Sequence, residues 1–287
     1  MTQGSTQQRL RSSALKQQKL GFLGGGNMAN AINSGLIDSG YNPEAIMVCD
    51  LNEAQLERFS ARGCHTTQDA AELFAWSDAI VLAVKPQVLK SVLEPLAELA
   101  QQQRPLILSV VAAIPSSSID QWLGGELAII RTMPNTPALV SAGATGLFAN
   151  PLANQQQRAF AEHIFQAIGE FCWVAEEDLL HAVTAAAGSA PAYFFRFAEA
   201  MTKTALAQNL TEQQARQLIG QTMLGAAKMI LQTDESISQM CQNVCSPNGT
   251  TERAIRSFEA NNIDEWVDQA MSACYDRSVE LSDLLAK

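Results

Sequence analysis

Short apolar runs alternate with amphipathic helical patterns through the first half of the chain, and this alternation constrains the fold more than any other feature. The runs lie between Leu20 and Asn150, are four to six residues long and are almost wholly apolar. Such runs are typical of strands buried on both faces, so they predict a mainly parallel sheet. Between them, residues 52–63 and 87–103 carry apolar residues at i, i+3 and i+4, as amphipathic helices do. The order strand, helix, strand, helix predicts an α/β fold.

A glycine cluster follows the first apolar run and opens the first helical pattern. Gly24, Gly26 and Ala29 occupy the G-x-G-x-x-A positions of a dinucleotide-binding turn. Gly24 permits the tight turn, Gly26 lets the backbone approach a pyrophosphate, and Ala29 lets the helix pack closely on the strand. Asn27 and Met28 then begin a helix whose free N–H groups suit an anion. We predict a Rossmann-type doubly wound sheet that binds a dinucleotide; the alternative is a glycine-rich turn without a ligand.

The next strand ends at Asp50, and an acid there usually binds the ribose 2′-hydroxyl of NAD and repels a 2′-phosphate. No arginine stands at positions 51–54 to favour NADP. However, Asp50 lies 26 residues after Gly24, later than the spacing of about 20 that is typical of the motif. The sequence therefore leaves NADPH and NADH open as the cofactor.

The strand pattern stops after Glu176, and the rest of the chain has a helical pattern that is interrupted around residues 188–191. Thr211 and Gln214 have the spacing of a capping box at a helix start. Residues 262–287 form one long amphipathic pattern. The apolar content of this half is high for a single helical layer, so we expect part of it to pack against another subunit.

The charge balance argues against several classes of partner. The 287 residues are 47% hydrophobic and carry a formal net charge of −10. Such an acidic chain is a poor candidate for binding nucleic acid or an anionic membrane. No apolar run approaches the roughly 20 residues that a membrane helix needs. An anionic ligand must therefore be held by local backbone dipoles.

The cysteines predict neither a metal site nor a disulfide framework. Six are scattered without a CxxC pair, and no histidine lies near Cys241 and Cys245, the only close pair. With no secretory signal, we expect reduced thiols and a cytoplasmic location. Residues 1–18 carry three basic residues and no acid. A transit peptide is one interpretation, but the sparse apolar residues favour a disordered extension.

The chain thus divides into two predicted domains after the extension. Residues 19–175 form a dinucleotide-binding Rossmann domain, and residues 176–287 form an all-α domain for substrate binding and dimerisation.

Four further segments are too distinctive to be ordinary loop or helix sequence. They lie at residues 83–87, 131–137, 188–195 and 245–255. Taken singly, each has a plain structural explanation, since a proline can end a strand, stiffen a loop or break a helix. The last segment carries more information, because residues 246–251 form a hydroxyl-rich turn directly before a predicted helix. Hydroxyls and free N–H groups at a helix start suit a small carboxylate. The alternative is a helix capped by Ser or Thr.

Together and in this order, these segments resemble the Δ1-pyrroline-5-carboxylate reductase family, from about Leu20 to Leu284. The set "QTMLGAA", "SPNGTT" and "RSVEL" is highly specific. The resemblance implies reduction of 1-pyrroline-5-carboxylate to L-proline, a hydride from NAD(P)H being transferred to the ring imine carbon. It also implies a helical domain that interlocks with a second subunit, a homodimer or a higher oligomer such as a decamer, and an active site at the dimer interface.

The resemblance also implies roles for individual residues. The proline carboxylate is expected at Ser246, Gly249, Thr250 and Thr251, and we assign the catalytic role to Thr251 and Ser246, with the Thr251 hydroxyl at the ring nitrogen. The nicotinamide is expected near the segment that contains Met133 and Asn135. The remaining predicted cofactor contacts are at the end of the third run and just after it, namely Ala83, Val84, Lys85 and Pro86.

Four positions depart from the usual family pattern: Ala113, Ala187, Ala190 and Asn248 stand where Gly, Ser, Gly and Gly are frequent. Because Asn tolerates the left-handed conformation, Asn248 is expected to preserve its turn. Two alternatives stay open. A β-hydroxyacid dehydrogenase would want a lysine soon after the 188–191 break, whereas none occurs before Lys203. A nucleotide-binding regulator without turnover is supported only by the departures.

Overall fold

The computed structural model describes residues 17–286, and its central feature is an eight-stranded sheet. The strands lie in the order β3-β2-β1-β4-β5-β6-β7-β8, and every neighbouring pair is parallel except β6 with β7. The strands are β1 Leu20–Leu23, β2 Ile46–Cys49, β3 His65–Thr67, β4 Ala79–Leu82, β5 Leu106–Ser109, β6 Ile129–Met133, β7 Gly143–Ala149 and β8 Gly169–Trp173. The mainly parallel, doubly wound sheet that we predicted is confirmed.

The two outermost strands were not predicted. β3 has the sequence HTT and is partly exposed, and β8 has the sequence GEFCW with alternating exposure. Both form the edges of the sheet, where a strand does not need to be apolar on both faces. A search for continuous apolar runs therefore finds the six central strands and misses the edges.

Helices cover both faces of the sheet. β1, β2, β4 and β5 are buried along their whole length. Their alternate side chains enter two separate apolar clusters, one around Phe22 and Ile32 and the other around Ile80 and Leu93. The helices up to residue 183 are α1 Asn27–Asp38, α2 Glu53–Ser60, α3 Ala70–Trp76, α4 Pro86–Leu93, α5 Ala97–Gln103, α6 Ser116–Trp122, α7 Gln155–Gln166 and α8 Leu179–Val183.

The described chain forms two compact units. The unit that contains the sheet runs to Ser189 and resumes at Cys274, and the helical unit spans Ala190–Ala273. A π-helical turn at Thr184–Gly188 precedes the helical unit, and it overlaps the helix break expected at residues 188–191 only at Gly188. The remaining helices are α9 Ala190–Ala207, α10 Glu212–Gln232, α11 Ile237–Val244, α12 Thr250–Ala260 and α13 Ile263–Leu285.

The helical unit exposes many large apolar side chains. Phe195 is 68% exposed, Leu231 75% and Val244 62%. Apolar surface on this scale is typical of a subunit interface. The predicted capping box is confirmed, because Thr211 Oγ1 accepts from the Gln214 N–H and the Gln214 side chain accepts from the Thr211 N–H.

The C-terminal end of α13 belongs to the unit that contains the sheet. Ser278 Oγ lies 2.8 Å from His181 Nδ1, and Ser118 Oγ donates to the Ala286 carbonyl at 3.0 Å. Leu285 packs against the apolar cluster on one face of the sheet. The predicted extension, residues 1–18, lies outside the described residues except for Gln17 and Gln18. Between residues 17 and 286, no helix is long and apolar enough to cross a membrane.

A substitution at Gly35, in α1, tests how closely this helix packs against the residues that follow α7. A Cβ at Gly35 would lie 2.5 Å from the Ala167 carbonyl oxygen and 2.7 Å from Ile168 Cγ2. We expect Gly35→Ala to lower the free energy of unfolding by about 1–3 kcal/mol, because the neighbouring backbone must move. Urea unfolding at fixed protein concentration measures the change. Ser34→Ala on the same helix is the control, with a change of about 0.5 kcal/mol or less. Equal stability of the two variants would contradict the close packing.

Candidate functional site

The glycine turn lies at the carboxyl end of β1. Gly24 has a left-handed φ of 105°, and a Cβ there would lie 2.7 Å from the Ala83 carbonyl oxygen, so only glycine fits without a shift. Gly26 is extended, precedes α1, and has no side-chain cap bond. A Cβ at Gly26 would meet nothing within 4 Å. The turn therefore has open space beside the first N–H groups of α1, which include those of Asn27 and Met28. This arrangement fits the pyrophosphate of a dinucleotide.

The segment after β4 lies beside this turn. The Ala83 N–H donates to the Leu23 carbonyl at 2.8 Å, which brings the ends of β4 and β1 together. The strand order reverses between these two strands, and α/β sheets bind ligands at such a switch point. Lys85 precedes α4, and Pro86 is its first residue. The predicted residues Ala83 and Val84 are therefore adjacent to the glycine turn, and Lys85 and Pro86 follow them directly in the chain.

Asp50 also reaches the glycine turn, despite its late position in the sequence. Its Oδ2 accepts from the Gly25 N–H at 2.7 Å, and its Oδ1 accepts from the Asn52 N–H at 2.8 Å. Arg58, in α2, donates from Nη2 to the Gly25 carbonyl at 2.9 Å. Arg58 was missed because the search for a cation ended at residue 54. The position of Arg58 in the helix that directly follows β2 is the signal that would have found it.

Met133 and Asn135 connect two of the predicted segments. Asn135 is 8% exposed; its Nδ2 donates to the Ala187 carbonyl at 3.1 Å, and its Oδ1 accepts from the Ala144 N–H at 2.9 Å. Both polar atoms of the Asn135 side chain are thus already hydrogen-bonded to the protein's own backbone. Met133 Cε lies 2.5 Å from the position of a Cβ on Gly188. The end of β6 is therefore fixed against the π-helical turn, a feature that is frequent at functional sites.

A buried ion pair supports the same end of β6. Arg131, 7% exposed, donates from Nη1 to Glu177 Oε1 at 2.9 Å. Glu177 also accepts from the Ser116 N–H at 2.6 Å and from the Ser116 hydroxyl at 2.7 Å. Nearby, burial and the charge of Arg131 lower the pKa of His181. None of these partners was predicted, because they lie 46 to 61 residues apart in sequence.

The hydroxyl-rich turn lies in the helical unit. Asn248 has a left-handed φ of 58°, which confirms the expectation that Asn preserves the turn. The residue before α12 is Gly249, which is extended and makes no side-chain cap bond. The alternative of a helix capped by Ser or Thr is therefore wrong. Within residues 17–286, the hydroxyls of Ser246, Thr250 and Thr251 make no hydrogen bond. A carboxylate can bind these hydroxyls and the N–H groups of the first turn.

One assigned group is unavailable for a ligand in this conformation. The Gly249 N–H, which we expected to hold the carboxylate, donates to the Ser246 carbonyl at 2.8 Å. A turn of this kind uses the N–H of its last residue to close itself. The free N–H donors at this point are those of Thr250 and Thr251. Among the described residues, no cluster of three or more His, Cys, Asp or Glu is arranged to hold a metal ion.

The switch-point glycine turn, open beside the start of α1, defines a Rossmann-type dinucleotide-binding protein with a separate helical unit. Two family models match separate parts of the chain. One described as pyrroline-5-carboxylate reductase dimerisation matches residues 177–281, and one described as NADP oxidoreductase, coenzyme F420-dependent, matches residues 19–113.

Relatives match over nearly the whole chain. A pyrroline-5-carboxylate reductase from Haemophilus influenzae is 39% identical over 94% of this chain and 100% of its own length. The solved structure of a pyrroline-5-carboxylate reductase from Coxiella burnetii is 42% identical, has a TM-score of 0.89 and covers 93% of this chain and 99% of its own. The Plasmodium falciparum pyrroline carboxylate reductase, solved with NADP bound, is 26% identical, with a TM-score of 0.83 and the same two coverages.

The chain belongs to the pyrroline-5-carboxylate reductase family. Its helical half is the dimerisation domain of that family, so the protein forms homo-oligomers. The predicted fold class, a Rossmann-type sheet followed by an all-α dimerisation domain, is confirmed.

The buried ion pair leads to a stability prediction. Glu177→Ala leaves the Arg131 guanidinium and the Ser116 N–H without a partner, so we expect the free energy of unfolding to fall by about 2–4 kcal/mol. Urea unfolding is the measurement. Glu176→Ala removes an exposed carboxylate next to it and is expected to change stability by about 0.5 kcal/mol or less. Similar losses in both variants would mean that the ion pair does not stabilise the fold.

His181 leads to a prediction for pH. Its pKa in the folded protein is below the ordinary value of 6.5, so below that pH the unfolded chain binds a proton more readily than the folded one. We expect stability to fall as the pH drops below 6.5, and to fall less in His181→Gln. Urea unfolding between about pH 7.5 and 5.5 measures the slope. His65→Gln replaces an exposed imidazole on β3 and is the control. An unchanged slope in His181→Gln would contradict the prediction.

Proposed function

We propose that this protein reduces 1-pyrroline-5-carboxylate to L-proline by hydride transfer from NADPH or NADH to the ring imine carbon. Relatives that are 39–42% identical over more than nine-tenths of the chain carry this proposal. The geometry is consistent with it, because each unit presents a helix start with an uncapped glycine, one suited to a pyrophosphate and one to a small carboxylate.

The cofactor is assigned to the unit that contains the sheet. We assign the pyrophosphate to Gly24, Gly26 and the N–H groups of Asn27 and Met28. The wall beside it is completed by Asp50 and by the segment that contains Ala83, Val84, Lys85 and Pro86. The nicotinamide is assigned to Met133 and Asn135. The reduced nicotinamide, when bound, supplies the hydride. The side-chain amide of Asn135 is already hydrogen-bonded to Ala187 and Ala144. Asn135 therefore acts at the nicotinamide through its backbone and by shaping the loop.

The substrate is assigned to the turn before α12. The Ser246 hydroxyl and the N–H groups of Thr250 and Thr251 hold the carboxylate, and the helix dipole favours its negative charge. The Thr251 hydroxyl hydrogen-bonds the ring nitrogen and orients the imine carbon toward the hydride. The role first assigned to the Gly249 N–H passes to its neighbours, since that N–H closes the turn.

The ring nitrogen needs a proton, but the protein does not need a dedicated acid. An imine acquires its proton from solvent, whereas oxidation of a hydroxy acid requires a base for the hydroxyl proton. Lys203, the first lysine after the helix break, pairs with Glu199 at 3.4 Å on the surface of the helical unit. The dehydrogenase alternative therefore has no observation in its favour. The regulator alternative loses support because Asn248 keeps the turn intact.

We further propose a cytoplasmic enzyme with a Rossmann domain at residues 19–175 and a substrate and dimerisation domain at 176–287. The assembly is a homodimer or a higher oligomer such as a decamer. The exposed apolar surface of the helical unit supports an extensive subunit contact.

An assay with purified protein tests the reaction. The protein is mixed with 1-pyrroline-5-carboxylate and either NADPH or NADH, and the loss of reduced-cofactor absorbance is followed. Loss that depends on the imine, with proline as product, supports the proposal. Turnover only with a 3-hydroxy acid and oxidised cofactor would favour the dehydrogenase, and cofactor binding without any turnover would favour the regulator.

Thr251 provides a test of the assigned roles. We expect Thr251→Ala to lower kcat by at least about tenfold, because a hydrogen bond to the reacting ring is lost, and to leave the cofactor Kd within about twofold. Steady-state kinetics and cofactor titration give the two numbers. Ser257→Ala, on the exposed part of α12, is the control and should change neither. Equal losses in turnover and cofactor affinity would contradict the role of Thr251.

A further inference from the structure

Gly25 lies at a variable position of the glycine motif, yet it is held on three sides. Its N–H donates to Asp50 Oδ2 at 2.7 Å, and its carbonyl accepts from Arg58 Nη2 at 2.9 Å. A Cβ at Gly25 would lie 3.2 Å from Phe59 Cε2, so the aromatic ring covers its third side. The Asp50 carboxylate and the Arg58 guanidinium are thus hydrogen-bonded to the N–H and the C=O of the same glycine.

The guanidinium of Arg58 is itself fixed at the turn. It also donates to the side chain of Gln55, one helical turn earlier in α2. Its Cζ lies 5.9 Å from the centre of the Phe59 ring, within the range of a cation–π contact. These contacts keep the cation over the Gly25 carbonyl although the residue as a whole is exposed.

Holding the Gly25 carbonyl determines where the next N–H points. The peptide unit that joins Gly25 to Gly26 is planar, and no cis peptide bond occurs, so its C=O and N–H point in opposite directions. The Gly26 N–H makes no hydrogen bond within residues 17–286, and space beside Gly26 is open. Fixing the oxygen therefore aims a free donor away from Arg58 and into the turn.

We propose that Arg58 is a positioning residue for the cofactor pyrophosphate, acting through the Gly25 carbonyl, and that it does not bind the 2′-phosphate of NADP. The proposal rests on the proposed function only in that a dinucleotide occupies the turn. Asp50 acts with Arg58, since its bond to the Gly25 N–H fixes the preceding peptide unit. The two residues determine the affinity for NADH and NADPH alike.

Equilibrium binding to four probes separates positioning from direct recognition. NADH and NADPH are the full ligands, 5′-ADP carries a diphosphate without a 2′-phosphate, and 2′-AMP carries a 2′-phosphate without a diphosphate. We expect Arg58→Met to raise the Kd for NADH, NADPH and 5′-ADP by a common factor of about five, the effect of one hydrogen bond, and to leave the Kd for 2′-AMP unchanged. Calorimetry, or the fluorescence of the bound reduced cofactors, measures these constants.

Arg62→Met is the matched control, because it removes the same charge from an exposed position just after α2. It should leave all four constants within about twofold. Weaker binding of only NADPH and 2′-AMP in Arg58→Met would overturn the proposal and assign Arg58 to the 2′-phosphate. Unchanged binding of every probe would also overturn it. Wild-type protein that binds NADH but does not reduce the imine would refute the proposed function while leaving this test intact.

Discussion

The proposed chemistry of this protein depends on one interaction, the hydrogen bond from an unpaired backbone N–H group at the start of a helix to an anionic ligand. Both proposed ligands are anions, and the chain carries a net charge of −10. Long-range attraction therefore cannot concentrate these ligands at the protein, and only short-range donors can bind them. The two helix starts that supply these donors share one geometry. Gly26 and Gly249 precede their helices with φ of −70° and −81° and ψ of −173° and 174°, and neither start has a side-chain cap.

Other helices of the same chain begin differently. α2, α3, α7, α10 and α11 each begin with an Asn, Asp, Ser or Thr whose side chain accepts a backbone N–H. Such a cap satisfies one of the donors that a helix start leaves open. At α1 and α12, glycine leaves these donors for a ligand. α4, α5, α6 and α8 also begin without a side-chain cap, but none of them is preceded by glycine. An extended glycine before the first turn is the feature that α1 and α12 share.

The sequence predicts the parts of this fold that obey a local rule. Continuous apolar runs identified the central strands, and the glycine spacing identified the turn at β1. The edge strands β3 and β8 could not be found in this way, because their partly exposed faces carry polar residues. Local sequence patterns also could not predict contacts between residues that are far apart in the chain. The bond of Glu177 to Arg131 and Ser116, and that of Arg58 to Gly25, depend on how the chain returns to the same edge of the sheet.

Two departures from the family pattern have different physical consequences. Asn248 and Ala113 both stand where Gly is frequent, and both have a positive φ, of 58° and 65°. Asparagine adopts this conformation more readily, because its short polar side chain can hydrogen-bond locally, whereas for alanine it costs about 1 kcal/mol or more. Ala113 is therefore a point of stored strain in the loop after β5, and the surrounding packing must maintain it. The structure gives no corresponding account of Ala187 or Ala190.

The path of the final helix affects how the chain matures on the ribosome. The strands near the N-terminus are synthesised first, but the unit that they form also includes the segment from Cys274 onward. Leu285 fills part of its apolar cluster, and Ala286 accepts the Ser118 hydroxyl. Both residues are synthesised after the whole helical unit, and Ala286 lies 168 residues after Ser118 in the chain. The unit that is begun first is thus completed after the helical unit, and until Leu285 has been made and has folded back, an apolar patch on one face of the sheet stays exposed to nascent-chain chaperones.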